Sequence, residues 1–255
     1  MHAVEVRGLT KSFGGTRALH EVTFDVAEGS LTGLVGPNGS GKSTTLRCVS
    51  GFLRQDAGVV SLFGERIERS SPQGAARRGV AQTFQRVALA EELTVAENVI
   101  LASDARRLSM PRRLLLDARG FDRGTRGVDM EAVLGAIEET GLEACADEPA
   151  GSLPLGIRRR VELARAIAVR PRLLLLDEPM SGLDTVESAA MAEVVRRIHA
   201  SKSATVLVVE HDMEVIASLC SHLVVLDFGQ VLAAGETAAT LRDPAVRDAY
   251  LGTGA

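Results

Sequence analysis

The sequence predicts an α/β fold with a mostly parallel β-sheet. Residues 156–226 alternate between segments with helical spacing of apolar side chains and short apolar runs, an order typical of parallel α/β sheets. The N-terminal part is instead rich in short apolar runs bounded by glycine, which indicates strands. A glycine-rich loop at residues 36–44 lies between a predicted strand and a predicted helix. The length of 255 residues allows one large domain or a core with a subdomain.

The N-terminal elements are predicted to be strands, because their apolar residues occur in short runs. Residues 22–26 alternate between apolar and polar side chains, as expected for a strand with one exposed face. Gly14 and Gly15 mark a turn between the first two strands. The predicted strands cover residues 4–8, 19–26, 30–35, 58–64 and 79–84.

The middle of the chain is predicted to be helical. Thr94 and Glu97 have the spacing of a capping box, so a helix is expected to begin at Thr94. Residues 130–140 form a second predicted helix, which Gly141 is expected to end. The stretch between them contains many arginines, for which a solvated surface is the simplest interpretation, with phospholipid headgroups or an RNA backbone as alternatives. These are Arg106, Arg107, Arg112, Arg113, Arg119, Arg123 and Arg126.

The C-terminal part alternates between predicted helices and strands. Helices are predicted at residues 156–169, 187–200 and 213–220, and strands at residues 172–177, 204–209 and 222–226. Such an alternation favours a parallel sheet whose strands are joined by helices.

Composition excludes several classes of protein. A net charge of −4 and only 3% aromatic residues argue against nucleic acid as the main partner. The three cysteines are Cys48, Cys145 and Cys220, which form no C-x-x-C pair and are expected to be reduced, buried thiols. No apolar run approaches the ~20 residues of a spanning helix, and we expect no signal peptide. If the protein acts at a membrane, another chain is expected to span it.

The glycine-rich loop matches G-x-x-x-x-G-K-[ST], the phosphate-binding loop (P-loop) of nucleotidases. Its residues are Gly36, Pro37, Asn38, Gly39, Ser40, Gly41, Lys42, Ser43 and Thr44. Glycines let successive backbone N–H groups point at phosphate oxygens, and the following helix adds its N-terminal dipole. Lys42 is expected to bind the β- and γ-phosphates and Ser43 to bind Mg²⁺.

Two acids end the most apolar predicted strand. Asp177 and Glu178 directly follow four leucines, at the strand end where open α/β sheets bind ligands. We expect Asp177 to hold Mg²⁺ through its water shell. Glu178 is expected to orient and polarise the water that attacks the terminal phosphate.

Two further polar residues follow neighbouring predicted strands. Gln85 follows the strand at residues 79–84, and its amide oxygen can reach Mg²⁺ and the attacking water. His211 follows the strand at residues 204–209 and can contact the γ-phosphate. Taken singly, a glutamine or a histidine at such a position is more often structural.

In this order along the chain, these segments resemble the ABC ATPase family over essentially the whole sequence. The resemblance implies a P-loop NTPase (RecA-like) core with an N-terminal antiparallel β subdomain at residues 1–86 and 156–255. It also implies an α-helical subdomain at residues 87–155. ATP and Mg²⁺ would be the cofactors, with Phe13 stacking on adenine and Asp184 in a D-loop contacting nucleotide. Ser43, Gln85 and Asp177 would hold the metal.

One motif departs from the family pattern. The family signature is usually Leu-Ser-Gly-Gly-Gln, and this chain has Leu153, Pro154, Leu155, Gly156 and Ile157. Leu153 and Gly156 remain as nucleotide-contacting residues, but Pro154 lacks the hydroxyl and N–H of serine. In the family's head-to-tail dimer each signature faces the partner's P-loop. The change therefore predicts a heterodimer in which a partner's signature completes this chain's site; a homodimer with two working sites is the alternative.

The local sequence is similar to the ATPase subunits of branched-chain amino acid importers. Segments 9–15, 210–213 and 241–252 carry this similarity. It implies a subunit that lies at the cytoplasmic face of the membrane, bound to transmembrane permease subunits. Importers of urea, exporters of lipopolysaccharide and soluble ABC proteins of ribosomes or DNA are alternatives, and a small-molecule kinase on the same scaffold is a further one.

Overall fold

The computed structural model describes residues 1–67, 71–85, 87–103, 129–202 and 204–251. The chain divides into two compact units, one formed by residues 1–85 and 171–255 and the other by residues 86–170. The arginine-rich stretch at residues 104–127 lies outside the described residues, so its role as a solvated surface stays a prediction.

The first unit contains all the strands of the described part of the chain. They are β1 (His2–Phe13), β2 (Thr16–Ala27), β3 (Leu31–Val35), β4 (Ala57–Leu62), β5 (Glu65–Arg66), β6 (Val80–Gln82), β7 (Leu173–Asp177), β8 (Thr205–Val209), β9 (His222–Asp227) and β10 (Gln230–Glu236). The α-helices in the described residues are α1 (Lys42–Val49), α2 (Pro72–Arg77), α3 (Val95–Ser103), α4 (Met130–Thr140), α5 (Leu155–Ile167), α6 (Thr185–Lys202), α7 (Met213–Leu219), α8 (Thr237–Thr240) and α9 (Pro244–Leu251).

A four-stranded antiparallel sheet contains most of the N-terminal strands, in the order β2-β1-β4-β5. This confirms the predicted antiparallel β subdomain. β1 extends to Phe13, well beyond the predicted end at residue 8, because it pairs with β2 on one side and β4 on the other. Register shifts along β1 let a long strand follow both partners.

A six-stranded sheet, in the order β10-β9-β3-β8-β7-β6, forms the predicted parallel core. β9, β3, β8, β7 and β6 run parallel, and only β10 is antiparallel, as the second arm of a hairpin with β9. Every residue of β3, β7 and β8 is buried, as expected of central parallel strands. The carboxyl ends of these strands share one edge, which is where such sheets bind ligands.

One apolar cluster joins both sheets and the first helix. It includes Val6 and Phe24 from the antiparallel sheet, Leu34 and Leu226 from the parallel sheet, and Leu46 from α1. Leu46 is fully buried, and truncating such a side chain costs about 2–5 kcal/mol. The helix that follows the glycine-rich loop is therefore anchored firmly in the core.

The second unit is helical, and its predicted capping box is confirmed. Thr94 N donates to Glu97 Oε2 (2.8 Å), and Glu97 N donates to Thr94 Oγ1 (3.2 Å). Gly141 ends α4 with a φ of +66°, as predicted. Helix α5 packs against α3 and α4. The helical unit therefore continues to residue 170, whereas the expected boundary at residue 155 assigns this helix to the core.

Candidate nucleotide site

The glycine-rich loop connects β3 to α1 and lies tightly against its neighbours. Gly36 has a φ of +149°, and a Cβ built on it would lie 2.0 Å from the carbonyl oxygen of Leu226 in β9. Gly41 has a φ of +103°, and its Cβ would lie 2.8 Å from the carbonyl oxygen of Ala18 in β2. No side chain fits at either position, so this loop conformation requires both glycines.

The loop is held from outside by a backbone hydrogen bond. Gly229 N, in the β9–β10 turn, donates to the carbonyl oxygen of Ser40 (3.1 Å). The Ser40 hydroxyl is buried and has no hydrogen-bond partner. At the tip of the loop, Asn38 and Gly39 are exposed, while Pro37 and Thr44 are partly buried. The loop is thus held at its base by close backbone contacts, is exposed at its tip and has a buried hydroxyl without a hydrogen-bond partner. These features suit a phosphate-binding loop.

The side chain of Lys42 is turned into this loop. Its Nζ donates to the carbonyl oxygens of Gly36 (2.7 Å) and Pro37 (2.9 Å). Burial lowers the pKa of Lys42, while the charges of Glu178 and Asp177 act in the opposite direction. The ammonium group of Lys42 is therefore bound by the loop carbonyls and attracted by the charges of Asp177, at the end of β7, and Glu178, directly after it.

The two acids predicted at the end of β7 have different environments. Asp177 is buried, and its pKa is raised mainly by burial and by the charge of Glu178, against the effects of Arg47, the Ser43 hydroxyl and Lys42. The Oδ1 atom of Asp177 has no hydrogen-bond partner. A buried carboxylate oxygen without a donor, beside a hydroxyl, fits a hard cation.

Glu178 begins the turn after β7 and is only partly buried. Its φ of +49° is rare for a residue with a Cβ, and its N–H is held by the carbonyl oxygen of Val209 (2.9 Å). Gln85 Nε2 donates to Glu178 Oε2 (3.0 Å). The structure therefore brings together two predicted residues that are far apart in the sequence.

His211 follows β8, and its side chain is 61% exposed. Its Nδ1 lies 3.7 Å from Oε2 of Glu210, a residue that is only 1% exposed. Our sequence reasoning overlooked Glu210. The sequence signal that could have identified Glu210 is its position as an acid between a wholly apolar strand and a candidate functional histidine.

Phe13 and Asp184 occupy exposed positions near the ends of other elements. Phe13 is 50% exposed at the end of β1, and Lys11 Nζ lies 5.6 Å from the centre of its ring. Asp184 caps α6: Glu187 N donates to Asp184 Oδ1 (2.8 Å), and Asp184 N donates to Glu187 Oε2 (3.2 Å). This reciprocal cap starts α6 at Thr185, two residues before the predicted start.

The altered signature lies in the helical unit. Leu153 is partly buried, Gly156 is buried in the first turn of α5, and Pro154 precedes that turn. Pro154 provides no side-chain hydrogen bond to the helix N-terminus. The first N–H groups of α5 therefore lack the cap that a serine would offer them.

A P-loop at one end of β3, an acid pair at the end of β7 and a glutamine joined to the second acid define a P-loop nucleotidase. The family model described as ABC transporter matches residues 19–181. The chain belongs to the ABC transporter family and is an ABC-type ATPase.

The similarity to characterised proteins extends over the whole chain. The branched-chain amino acid transport ATP-binding protein BraF of Pseudomonas aeruginosa is 37% identical over 249 residues, covering 98% of this chain and 97% of BraF. LivG of Escherichia coli, a protein of the same description, is 33% identical over 250 residues, covering 98% of this chain and 97% of LivG.

Solved structures show the same fold. The ADP conformation of an ATP-binding cassette of an ABC transporter superposes with a TM-score of 0.82 at 29% identity, covering 99% of both chains. A nucleotide-free cassette gives a TM-score of 0.81 at 28% identity, covering 98% of this chain and 99% of the other. This confirms the predicted fold class.

Proposed function

We propose that this chain binds and hydrolyses ATP to power the uptake of branched-chain or related small amino acids through a membrane permease. The similarity to BraF and LivG over nearly the full length of both chains supports this cargo. Urea import and lipopolysaccharide export are the alternative functions. The test is to purify the chain with its permease and to measure whether leucine, urea or lipopolysaccharide stimulates ATP hydrolysis.

The loop and the acids have complementary roles in this proposal. The backbone N–H groups of residues 36–44 and the ammonium of Lys42 bind the phosphates, and Lys42 exchanges its two carbonyl acceptors for phosphate oxygens. Ser43, Asp177 and Gln85 would hold Mg²⁺, which would supply positive charge against the triphosphate. Asp177 Oδ1 and Ser40 Oγ are buried and have no hydrogen-bond partner. They support this assignment, because buried polar atoms of native proteins normally have a partner, which Mg²⁺ or a phosphate would supply.

The hydrolytic step depends on Glu178 and the residues around it. Glu178 accepts a proton from the attacking water and orients it, while Gln85 positions the Glu178 carboxylate. His211 contacts the terminal phosphate. The observation that carries this proposal is the 3.0 Å hydrogen bond from Gln85 to Glu178, because it joins the residue proposed as the base to a residue proposed as a metal ligand.

The test is Glu178→Gln, which keeps the size of the side chain and removes its basicity. We expect ATP turnover to fall by about 10²–10⁴-fold while ATP binding remains. Glu236→Gln is the matched control, because Glu236 is exposed and its side chain caps no helix. Unchanged turnover in Glu178→Gln would exclude Glu178 as the base.

We also propose that the active form is a dimer, and that this chain pairs with a different ATPase subunit. A related cassette, 25% identical with a TM-score of 0.73, is described as a dimer in a post-hydrolysis state with ADP and phosphate. Pro154 and Ile157 weaken the site that this chain completes on its partner, so the site with Lys42 and Glu178 is the better one. Glu178→Gln should then cost more turnover than the matching change in the partner; the reverse order would contradict a heterodimer in which the site with Lys42 and Glu178 is the better one.

The place of action in this proposal is the cytoplasmic face of the membrane. Within the described residues, no helix combines the length and apolar character needed to cross a bilayer. In this proposal the transmembrane permease subunits supply the attachment. Expression with and without the permease, followed by membrane fractionation, tests this. Sedimentation with ribosomes instead would favour the soluble alternative.

A further inference from the structure

Glu210 is a charged side chain buried at the edge of the parallel sheet. It follows the last residue of β8 and is 1% exposed. Burial raises the pKa of its carboxyl group, and the Met180 amide and the charge of His211 lower it. Burying a carboxylate is costly, so it is retained only where its oxygens have specific partners.

Its two carboxylate oxygens face different segments. Oε1 accepts a hydrogen bond from Met180 N (2.8 Å), in the turn after β7. Oε2 accepts a longer bond from His211 N (3.4 Å) and lies 3.7 Å from Nδ1 of the His211 ring. One side chain therefore contacts both the turn that begins with the proposed base and the proposed phosphate-contacting histidine.

The same two segments are joined a second time through the backbone. Glu178 N donates to the carbonyl oxygen of Val209 (2.9 Å), directly before Glu210. Ser181 N in turn donates to the carbonyl oxygen of Glu178 (3.1 Å), which closes the turn on itself. The turn at residues 178–181 is therefore linked to the end of β8 by one backbone and one side-chain hydrogen bond.

We propose that Glu210 is a positioning residue that holds the His211 ring in place for the terminal phosphate and ties it to the turn carrying Glu178. Nδ1 of the ring faces the carboxylate, which leaves Nε2 as the nitrogen available to a phosphate oxygen. This role rests on the proposed function, because it requires that His211 contacts the terminal phosphate. The carboxylate itself touches no substrate.

Glu210→Gln separates this role from simple support of the turn. The glutamine carbonyl oxygen can still accept the Met180 N–H, but the negative charge that faces Nδ1 is lost. A residue that only supports the turn would therefore tolerate this change. A residue that orients His211 would not.

The experiment is a double-mutant cycle with Glu210→Gln and His211→Ala in the full chain. Dissociation constants for ATP and ADP are measured for the four proteins, with thermal unfolding as a check on folding. We expect Glu210→Gln to weaken ATP binding about 5- to 10-fold relative to ADP. In the His211→Ala background the same change should alter this ratio less than twofold, because coupled residues are not additive.

Two results would overturn the inference alone. One is a ratio of the ATP and ADP dissociation constants that is the same in Glu210→Gln as in the wild type. The other is an effect of Glu210→Gln on this ratio that simply multiplies with the effect of His211→Ala. Failure of the wild-type chain to bind ATP would instead refute the proposed function and the inference together. Turnover of Glu178→Gln, measured in parallel, reports on the hydrolytic proposal without depending on Glu210.

Discussion

Replacing Gly36 with alanine is expected to disrupt the P-loop more than the same change at Gly39. Both glycines lie in one loop and both have positive φ, +149° at Gly36 and +82° at Gly39. They differ in their surroundings. A Cβ on Gly36 would lie 2.0 Å from the carbonyl oxygen of Leu226 and 2.6 Å from Ser40 Oγ, whereas a Cβ on Gly39 has no neighbour within 4 Å.

The size of the difference follows from these contacts. At Gly39 the alanine meets only backbone strain, which costs about 1–2 kcal/mol. At Gly36 strain of about 1–3 kcal/mol adds to an overlap with a backbone oxygen that costs about another 1–3 kcal/mol, because neither β9 nor the loop can yield easily. For a chain of this size the expected fall in Tm is about 2–8 °C for Gly39→Ala and about 4–24 °C for Gly36→Ala.

The assay is thermal unfolding of both variants and the wild type, with and without ATP. Both glycines belong to the first compact unit, so the two variants perturb the same part of the fold. In addition, ATP should raise the Tm of Gly36→Ala less than that of the wild type, since the displaced loop binds phosphate more weakly. Equal Tm values for the two variants, or a less stable Gly39→Ala, would refute the reasoning.

Two further predictions concern buried ionisable groups. Burial raises the pKa of Cys48 to about 11 and of Cys220 to about 12. At pH 8 a reagent that modifies thiols by disulfide exchange should therefore react only with the partly exposed Cys145 until the protein unfolds. Rapid labelling of all three thiols would contradict this. Burial also raises the pKa of Glu162, so its carboxyl group binds a proton more tightly in the native state than in the unfolded state. The contribution of Glu162 to stability therefore falls as the pH rises above the ordinary glutamate pKa of about 4.3. The stability of Glu162→Gln relative to wild type should therefore increase between pH 4 and pH 7, by at most about 1.4 kcal/mol per pH unit; parallel pH profiles would disprove it.

Local sequence patterns predicted much of the fold. The capping box at Thr94, the stop at Gly141 and the apolar strands β7 and β8 each depend on residues close together in the chain, and the structure has all of them. The extent of β1 was underestimated, because its length is set by pairing with β2 and β4. The placement of α5 in the helical unit likewise follows from its packing against α3 and α4, which no local pattern encodes.

The sequence by itself determined the identity of the phosphate loop and of the acids that follow β7. Their spacing is local: a strand, a glycine loop and a helix in one case, and a strand that ends in two carboxylates in the other. Only the tertiary structure decided which distant side chains meet them. The contacts of Gln85 with Glu178, of Glu210 with Met180, and of Gly36 with Leu226 arise because neighbouring parallel strands end at one edge of the sheet, whatever their separation along the chain.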